Sequence, residues 1–155
     1  VKTSPNFRAN PDIKATHYAP AIVAMNTAQN DGFDQVLFTS PEGNLLELAF
    51  SNFFAIAGNC LLTPLDGILH GITRKHLLLV SESVGLKPVY RSINIKELHT
   101  FKEVFHANTT REVVPITQIN DIHFPVHTKT KEIAKALRNR IDALTTKPLP
   151  KLTFS

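Results

Sequence analysis

Two short turn signals between residues 34 and 63 restrict the folds open to this chain more than any other feature. Ser40-Pro41-Glu42-Gly43 separates the apolar runs 34–39 and 44–50, and Gly58-Asn59 separates 53–57 from 60–63. Runs this short cannot hold helices, and proline, glycine and asparagine between them supply the backbone angles of a reversal. The segment therefore predicts two β-hairpins, and so an antiparallel sheet.

The flanking sequence switches to helical spacing. Tyr18, Ile22 and Met25 recur on one face from about residue 16, Pro20 is tolerated in a first turn, and Gly32 offers a stop. Leu77, Val80 and Val84 mark a helix over about 73–84 that Gly85 ends. Ile133, Leu137, Ile141 and Leu144 mark another over about 128–144, with Thr128 as its cap. Strand-like runs at 87–94, 103–107 and 113–119 and a short helix near 95–101 lie between them. Without regular βαβ alternation, the fold class is α/β or α+β: a mainly antiparallel sheet with flanking helices.

A chain of 155 residues suffices for one domain with a core and is short for two. Residues 1–13 carry two prolines and read as a leader or linker, 14–147 as the domain, and 148–155 as a tail. Seventeen Lys and Arg against thirteen Asp and Glu leave a net charge of +4, but the basic residues are scattered, which disfavours nucleic acid. No run approaches the roughly eighteen apolar residues of a membrane span. The lone Cys60 suits a reducing compartment, so the cytoplasm is expected. The chain opens on Val1 with Met25 as its one methionine, as expected for a piece of something longer.

Taken singly, the polar residues are ambiguous. Lys14, ahead of the first helix, reads as a surface lysine. Glu47 lies mid-strand on the expected face of Leu45 and Ala49, as an edge-strand charge or a buried acid with a partner. Gly71-Ile72-Thr73 opens a helix, where free N–H groups suit a phosphate. Asn108-Thr109-Thr110 ends a strand as a turn or as a ligand contact.

Their order is more informative. Lys14-Ala15-Thr16-His17-Tyr18 leads to Gly32-Phe33-Asp34-Gln35-Val36-Leu37-Phe38. Glu47 stands five residues before Asn52-Phe53-Phe54, Gly71-Ile72-Thr73-Arg74 follows Leu69, and Asn108-Thr109-Thr110-Arg111-Glu112-Val113-Val114-Pro115 comes later. Over about residues 10–144 this series resembles the second half of the class IV (fold-type IV) aminotransferases. That group includes D-amino-acid aminotransferase, branched-chain aminotransferase and aminodeoxychorismate lyase.

The resemblance implies the large C-terminal domain of that fold, binding pyridoxal 5'-phosphate. By the same resemblance Lys14 carries the cofactor as a Schiff base and moves the substrate proton, and Glu47 pairs with the pyridine nitrogen. Gly71, Ile72 and Thr73 hold the phosphate with Asn108 and Thr109, Leu69 packs on the ring, and Thr110 lies nearer the substrate carboxylate. No metal is implied.

The implied activity transfers an amino group between an amino acid and a 2-oxo acid. The Thr109-Thr110 run leans toward the D-amino-acid or lyase branch. The alternatives are a lyase of the aminodeoxychorismate type and a non-catalytic binding remnant of the fold. Leu48-Ala49-Phe50, His70 and Asn108 depart from the family pattern, implying a narrower pocket and a retuned phosphate cup. His17 is close enough to Lys14 to adjust it, while His70 reads as a surface loop residue. Relatives carry a smaller domain before the lysine, absent from this chain, which supplies substrate recognition and an arginine for the phosphate. A homodimer, or pairing with a separate N-terminal fragment, is expected.

Overall fold

In the computed structural model, residues 1–5, 13–14, 18–125 and 127–146 are described. The chain runs β1 (Lys2–Ser4), α1 (Ala19–Asn30), β2 (Val36–Thr39), β3 (Leu45–Leu48), β4 (Ser51–Ala57), β5 (Cys60–Thr63), α2 (Ile72–Val80), β6 (Lys87–Tyr90), β7 (Glu103–Asn108), β8 (Glu112–Ile116), β9 (Gln118–Ile119), β10 (Ile122–His123) and α3 (Thr128–Thr145). A 3-10 turn, Ser81–Val84, extends α2, and another spans Ile95–Thr100.

Strands β1 to β8 form one mixed sheet in the order β1-β2-β3-β4-β5-β6, with β7 joining β4 to β8. Among the described pairs only β1–β2 and β5–β6 are parallel. Central β4 has β7 along one edge, while its other edge is shared by β3, at Ser51 and Asn52, and β5, from Ala55 onward. Period-two alternation then divides the core. Phe53 and Ala55 face a cluster with Leu37, Leu48 and Val104. Phe54 and Ile56 face the helices, meeting Leu77, Leu78, Ile133 and Leu137. A third cluster, with Val36, Phe38, Leu46 and Ile68, receives Ala28 of α1.

The two predicted hairpins form, and a third lies between them. The run 44–50 is not one strand: β3 ends at Leu48, and Ala49-Phe50 turns the chain so that Leu48 pairs Ser51. Nor do Leu45 and Ala49 share a face. The ladder shifts register between Leu37 and Thr39, so Leu45 packs in the first cluster and Ala49 in the third. Part of the expected leader, Lys2–Ser4, is extended and joins the sheet beside β2. The run 87–94 is strand only to Tyr90, and 113–119 divides into β8 and β9.

Thr128 is not the cap of the last helix. It is the first helical residue, and the first-turn N–H groups are taken by a carboxylate from β7. Glu103 accepts from Lys129 N at 2.9 Å, Thr130 N at 2.8 Å and Thr130 Oγ1 at 2.8 Å. The apolar stripe also ends early, since Leu144 is 46% exposed. The start of the first predicted helix, including His17, and the tail 148–155 lie outside the described residues.

Candidate active site

Where α2 begins, a cleft of about 360 Å³ opens between β3, β4 and the β7–β8 turn. Every residue given a place at the cofactor or substrate lines it: Lys14, Glu47, Leu69, Gly71, Ile72, Thr73, Asn108, Thr109 and Thr110. Sequence reasoning assigned no role to Tyr18, Ser51, Asn52 or Ala107, which line it as well, and gave Phe50 only a share in narrowing the pocket. Asn52 and Phe50 stood inside quoted motifs, so their spacing was the available signal.

At the floor lies Glu47, 3% exposed. Its Oε2 accepts from the Leu69 N–H at 3.2 Å and from Asn52 Nδ2 at 3.4 Å. Asn52 also donates to the Leu69 carbonyl at 2.6 Å, so this one amide ties the acid to the loop before α2. A carboxylate set so deep beside a polar cleft suits a cationic or N–H-bearing ligand.

The far wall has the opposite polarity. Gly71 caps α2 with no side-chain hydrogen bond, leaving first-turn N–H groups for an acceptor. A Cβ at Gly71 would lie 2.5 Å from Asn52 Oδ1, so only glycine allows this approach. Thr73 Oγ1 is 3.3 Å from Thr109 Oγ1, bringing two hydroxyls together from α2 and the β7–β8 turn. Amide donors, hydroxyls and the positive end of a helix make an anion cup.

Behind the cup, Arg74 is 5% exposed. It donates to Thr63 Oγ1 at 3.2 Å, to the Pro64 carbonyl at 2.9 Å and to His70 Nδ1 at 3.2 Å, and lies 5.4 Å from the centroid of the Tyr90 ring. Burial lowers its pKa, but a guanidinium still keeps its charge. Since guanidinium only donates, His70 Nδ1 is the acceptor, and a neutral His70 carries its proton on Nε2. His70 is thus the exposed loop residue expected, held from behind by Arg74.

Asn108, expected against the cofactor, uses its side chain within the protein. Its Oδ1 accepts from Thr110 N at 3.1 Å and Arg111 N at 2.8 Å, and its Nδ2 donates to the Phe50 carbonyl at 3.2 Å. It stitches the β7–β8 turn to the β3–β4 turn. The Phe50 ring, 41% exposed, lies 5.5 Å from the Tyr18 ring and forms an apolar lip near Lys14. Of the departures at 48–50, Phe50 therefore shapes the cleft, while Leu48 is buried in the core. Beneath the cleft Ser51 Oγ is 2.9 Å from His106 Nδ1, and burial, with Arg111 nearby, pushes the His106 pKa down to about 4.

Among the described residues no group of three or more His, Cys, Asp or Glu side chains could hold a metal ion, and no helix is long and apolar enough to cross a membrane.

Comparison with known proteins identifies the family. The family described as amino-transferase class IV matches residues 1–119. The chain belongs to the class IV aminotransferases. It is 30% identical over 120 residues to a probable branched-chain-amino-acid aminotransferase of Rickettsia bellii, covering 77% of this chain and 42% of the relative. Aminodeoxychorismate lyase of Bacillus subtilis is 30% identical over 114 residues, covering 72% and 39%. The branched-chain amino acid aminotransferase of Thermobaculum terrenum, solved in its PLP form, superposes with a TM-score of 0.84 at 29% identity, covering 92% of this chain and 50% of that one. The chain thus spans about half the length, or less, of these relatives.

Proposed function

We propose that this chain is the cofactor-binding half of a pyridoxal-phosphate aminotransferase that passes an amino group between an amino acid and a 2-oxo acid. The observation that carries this reading is the pairing of opposites in one cleft. A buried carboxylate lies on the floor, an uncapped helix end forms the far wall, and a lysine stands at the lip. A phosphorylated pyridine aldehyde matches all three. When bound, that cofactor supplies an aldehyde that condenses with amines and a protonated ring that draws electrons from the substrate carbon.

The chain's residues divide the remaining work. Lys14 Nζ would anchor the cofactor covalently and, once freed, would be the base that carries the proton from the substrate α carbon to the cofactor. Glu47 Oε2, held by Leu69 and Asn52, would keep a proton on the ring nitrogen by opposing its charge. The amides of Ile72 and Thr73 and the hydroxyls of Thr73 and Thr109 would hold the phosphate and so keep the ring in place. Gly71 grants close approach, Leu69 flanks the ring, and Thr110 faces the substrate carboxylate. Asn108 contributes by holding the turn that carries Thr109 and Thr110.

For the substrate we propose a branched-chain L-amino acid. This departs from the lean toward the D-amino-acid branch. It is supported by the names of the relatives, together with the apolar lip of Phe50 and Tyr18. The second reading is a lyase, favoured by the Bacillus subtilis relative. We propose a cytoplasmic enzyme that works as a homodimer or with a separate N-terminal fragment, since Leu65, Ile72 and Leu79 leave apolar surface to cover.

A visible absorption band on adding pyridoxal phosphate, removed by borohydride with the label mapped to Lys14, is the expected result. A colourless chain, or label elsewhere, would overturn the reading. Transfer from L-leucine to 2-oxoglutarate separates the transaminase from the lyase, which would instead release pyruvate from aminodeoxychorismate. Colour that no amino donor bleaches would leave only a binding remnant.

A further inference from the structure

Arg74 is a buried cation with no ion-pair partner among the described residues, although Glu82 lines the same hollow. Its hydrogen-bond acceptors are a hydroxyl, a carbonyl and an imidazole nitrogen, all neutral, and its fourth neighbour is the Tyr90 ring. No described carboxylate forms an ion pair with it, although four other described basic residues have such partners. Buried charges are retained when something opposes them, because removing water from an unopposed charge is costly. Arg74 belongs to the first turn of α2, whose N-terminal amides no described side chain accepts from. A fixed guanidinium and an open helix end thus belong to one helical turn, with Arg74 lining the hollow on the other side of His70 and Gly71 from the cleft.

Resting on the cofactor reading above, we propose that Arg74 is the buried counter-charge of the bound phosphate, raising the cleft's affinity for the dianion from behind its wall without touching it. Two links hold it in place. Thr63 and Pro64 hold the guanidinium against the end of β5, and its contact with His70 braces the residue before Gly71. The charge cannot swing into solvent, so it is weakly screened and pre-oriented before the ligand arrives. The four hydrogen-bonding and ring contacts also make it a positioning residue for the loop that carries Gly71.

Comparing two ligands separates charge from architecture. Pyridoxal 5'-phosphate and pyridoxal differ only in the phosphate, so their affinity ratio reports the phosphate contribution, while pyridoxal alone reports the integrity of the cleft. The full chain and its Arg74→Gln, Arg74→Met and Arg74→Lys variants are titrated with both, following the visible band and equilibrium dialysis. The neutral variants are expected to lose about tenfold or more in affinity for the phosphate form and less than about twofold for pyridoxal. Arg74→Lys is expected to restore most of the ratio. Methionine fills a similar volume without charge, so it keeps the test open if glutamine prevents folding.

Equal losses for both ligands would reduce Arg74 to a structural brace, and an unchanged ratio in either neutral variant would remove it from phosphate binding. If the unmutated chain bound neither ligand, the cofactor reading itself would fall.

Discussion

The positive ends of α2 and α3 obey the same physics and are treated in opposite ways. Each helix leaves its first N–H groups without intrahelical partners. At α3 the chain fills them itself, with the Glu103 carboxylate reaching from β7 to Lys129 and Thr130. At α2 no described side chain accepts from the first-turn amides, Gly71 keeps the approach clear, and Arg74 is buried behind. One end serves stability and the other is kept for a ligand. The anion that completes α2 is the one that, in the proposed function, arrives with the cofactor.

Filling the open end should have the largest effect. Gly71→Ala places a Cβ 2.5 Å from Asn52 Oδ1 and must push Asn52 off Leu69 and Glu47. Cofactor affinity is expected to fall about a hundredfold, or about 3 kcal/mol, by titration of the visible band, with a smaller loss of thermal stability. An unchanged affinity would mean that the cup is not where the phosphate lies.

Acid tests whether the fold depends on the helix ends alone. His106 is held down at about 4 in the folded chain, against 6.5 when unperturbed. Between those values the unfolded chain binds a proton that the folded chain refuses. Stability is therefore full above about pH 6.5 and falls as the pH drops toward 4, by at most about 3 kcal/mol. Urea denaturation across that range should show the slope, and His106→Asn should flatten it. An equal slope in the variant would assign the loss elsewhere.

Emptying the closed end should cost stability alone. Glu103→Ala is expected to destabilise by about 2 kcal/mol in urea melts, leaving three donors without their acceptor, while cofactor affinity stays within about twofold. A matching loss of affinity would dissolve the contrast between the two ends. The smallest change is Thr73→Val, which removes one hydroxyl of the cup. Cofactor affinity should fall about fivefold, or about 1 kcal/mol, with little change in the melting temperature.

What was legible in the sequence depended on distance along the chain. The outer hairpins could be read because Pro41, Gly43, Gly58 and Asn59 announce them, whereas the hairpin at Ala49-Phe50 carries no turn residue and is imposed by the pairing of Leu48 with Ser51. Thr128 looked like a cap by local rules, but the acceptor that serves α3 lies 26 residues before Lys129. The grouping of Lys14, Glu47, Gly71 and Thr109 in one cleft was legible through the order of family motifs. By contrast, the Ser51–His106 contact joins residues 55 positions apart and has no local signature. Asn108 was expected to face a ligand because of its place in a motif, yet its side chain spends its hydrogen bonds on the two turns.

That stitch has an evolutionary consequence. Asn108 grips the Phe50 carbonyl and the N–H groups of Thr110 and Arg111, all backbone atoms, so side chains at 50, 110 and 111 can change without loosening it. Lengthening either turn by a residue would break the grip on both. Lineages descended from such a chain can thus explore new substrates by exchanging side chains around a rim of constant outline, while insertions and deletions there are barred.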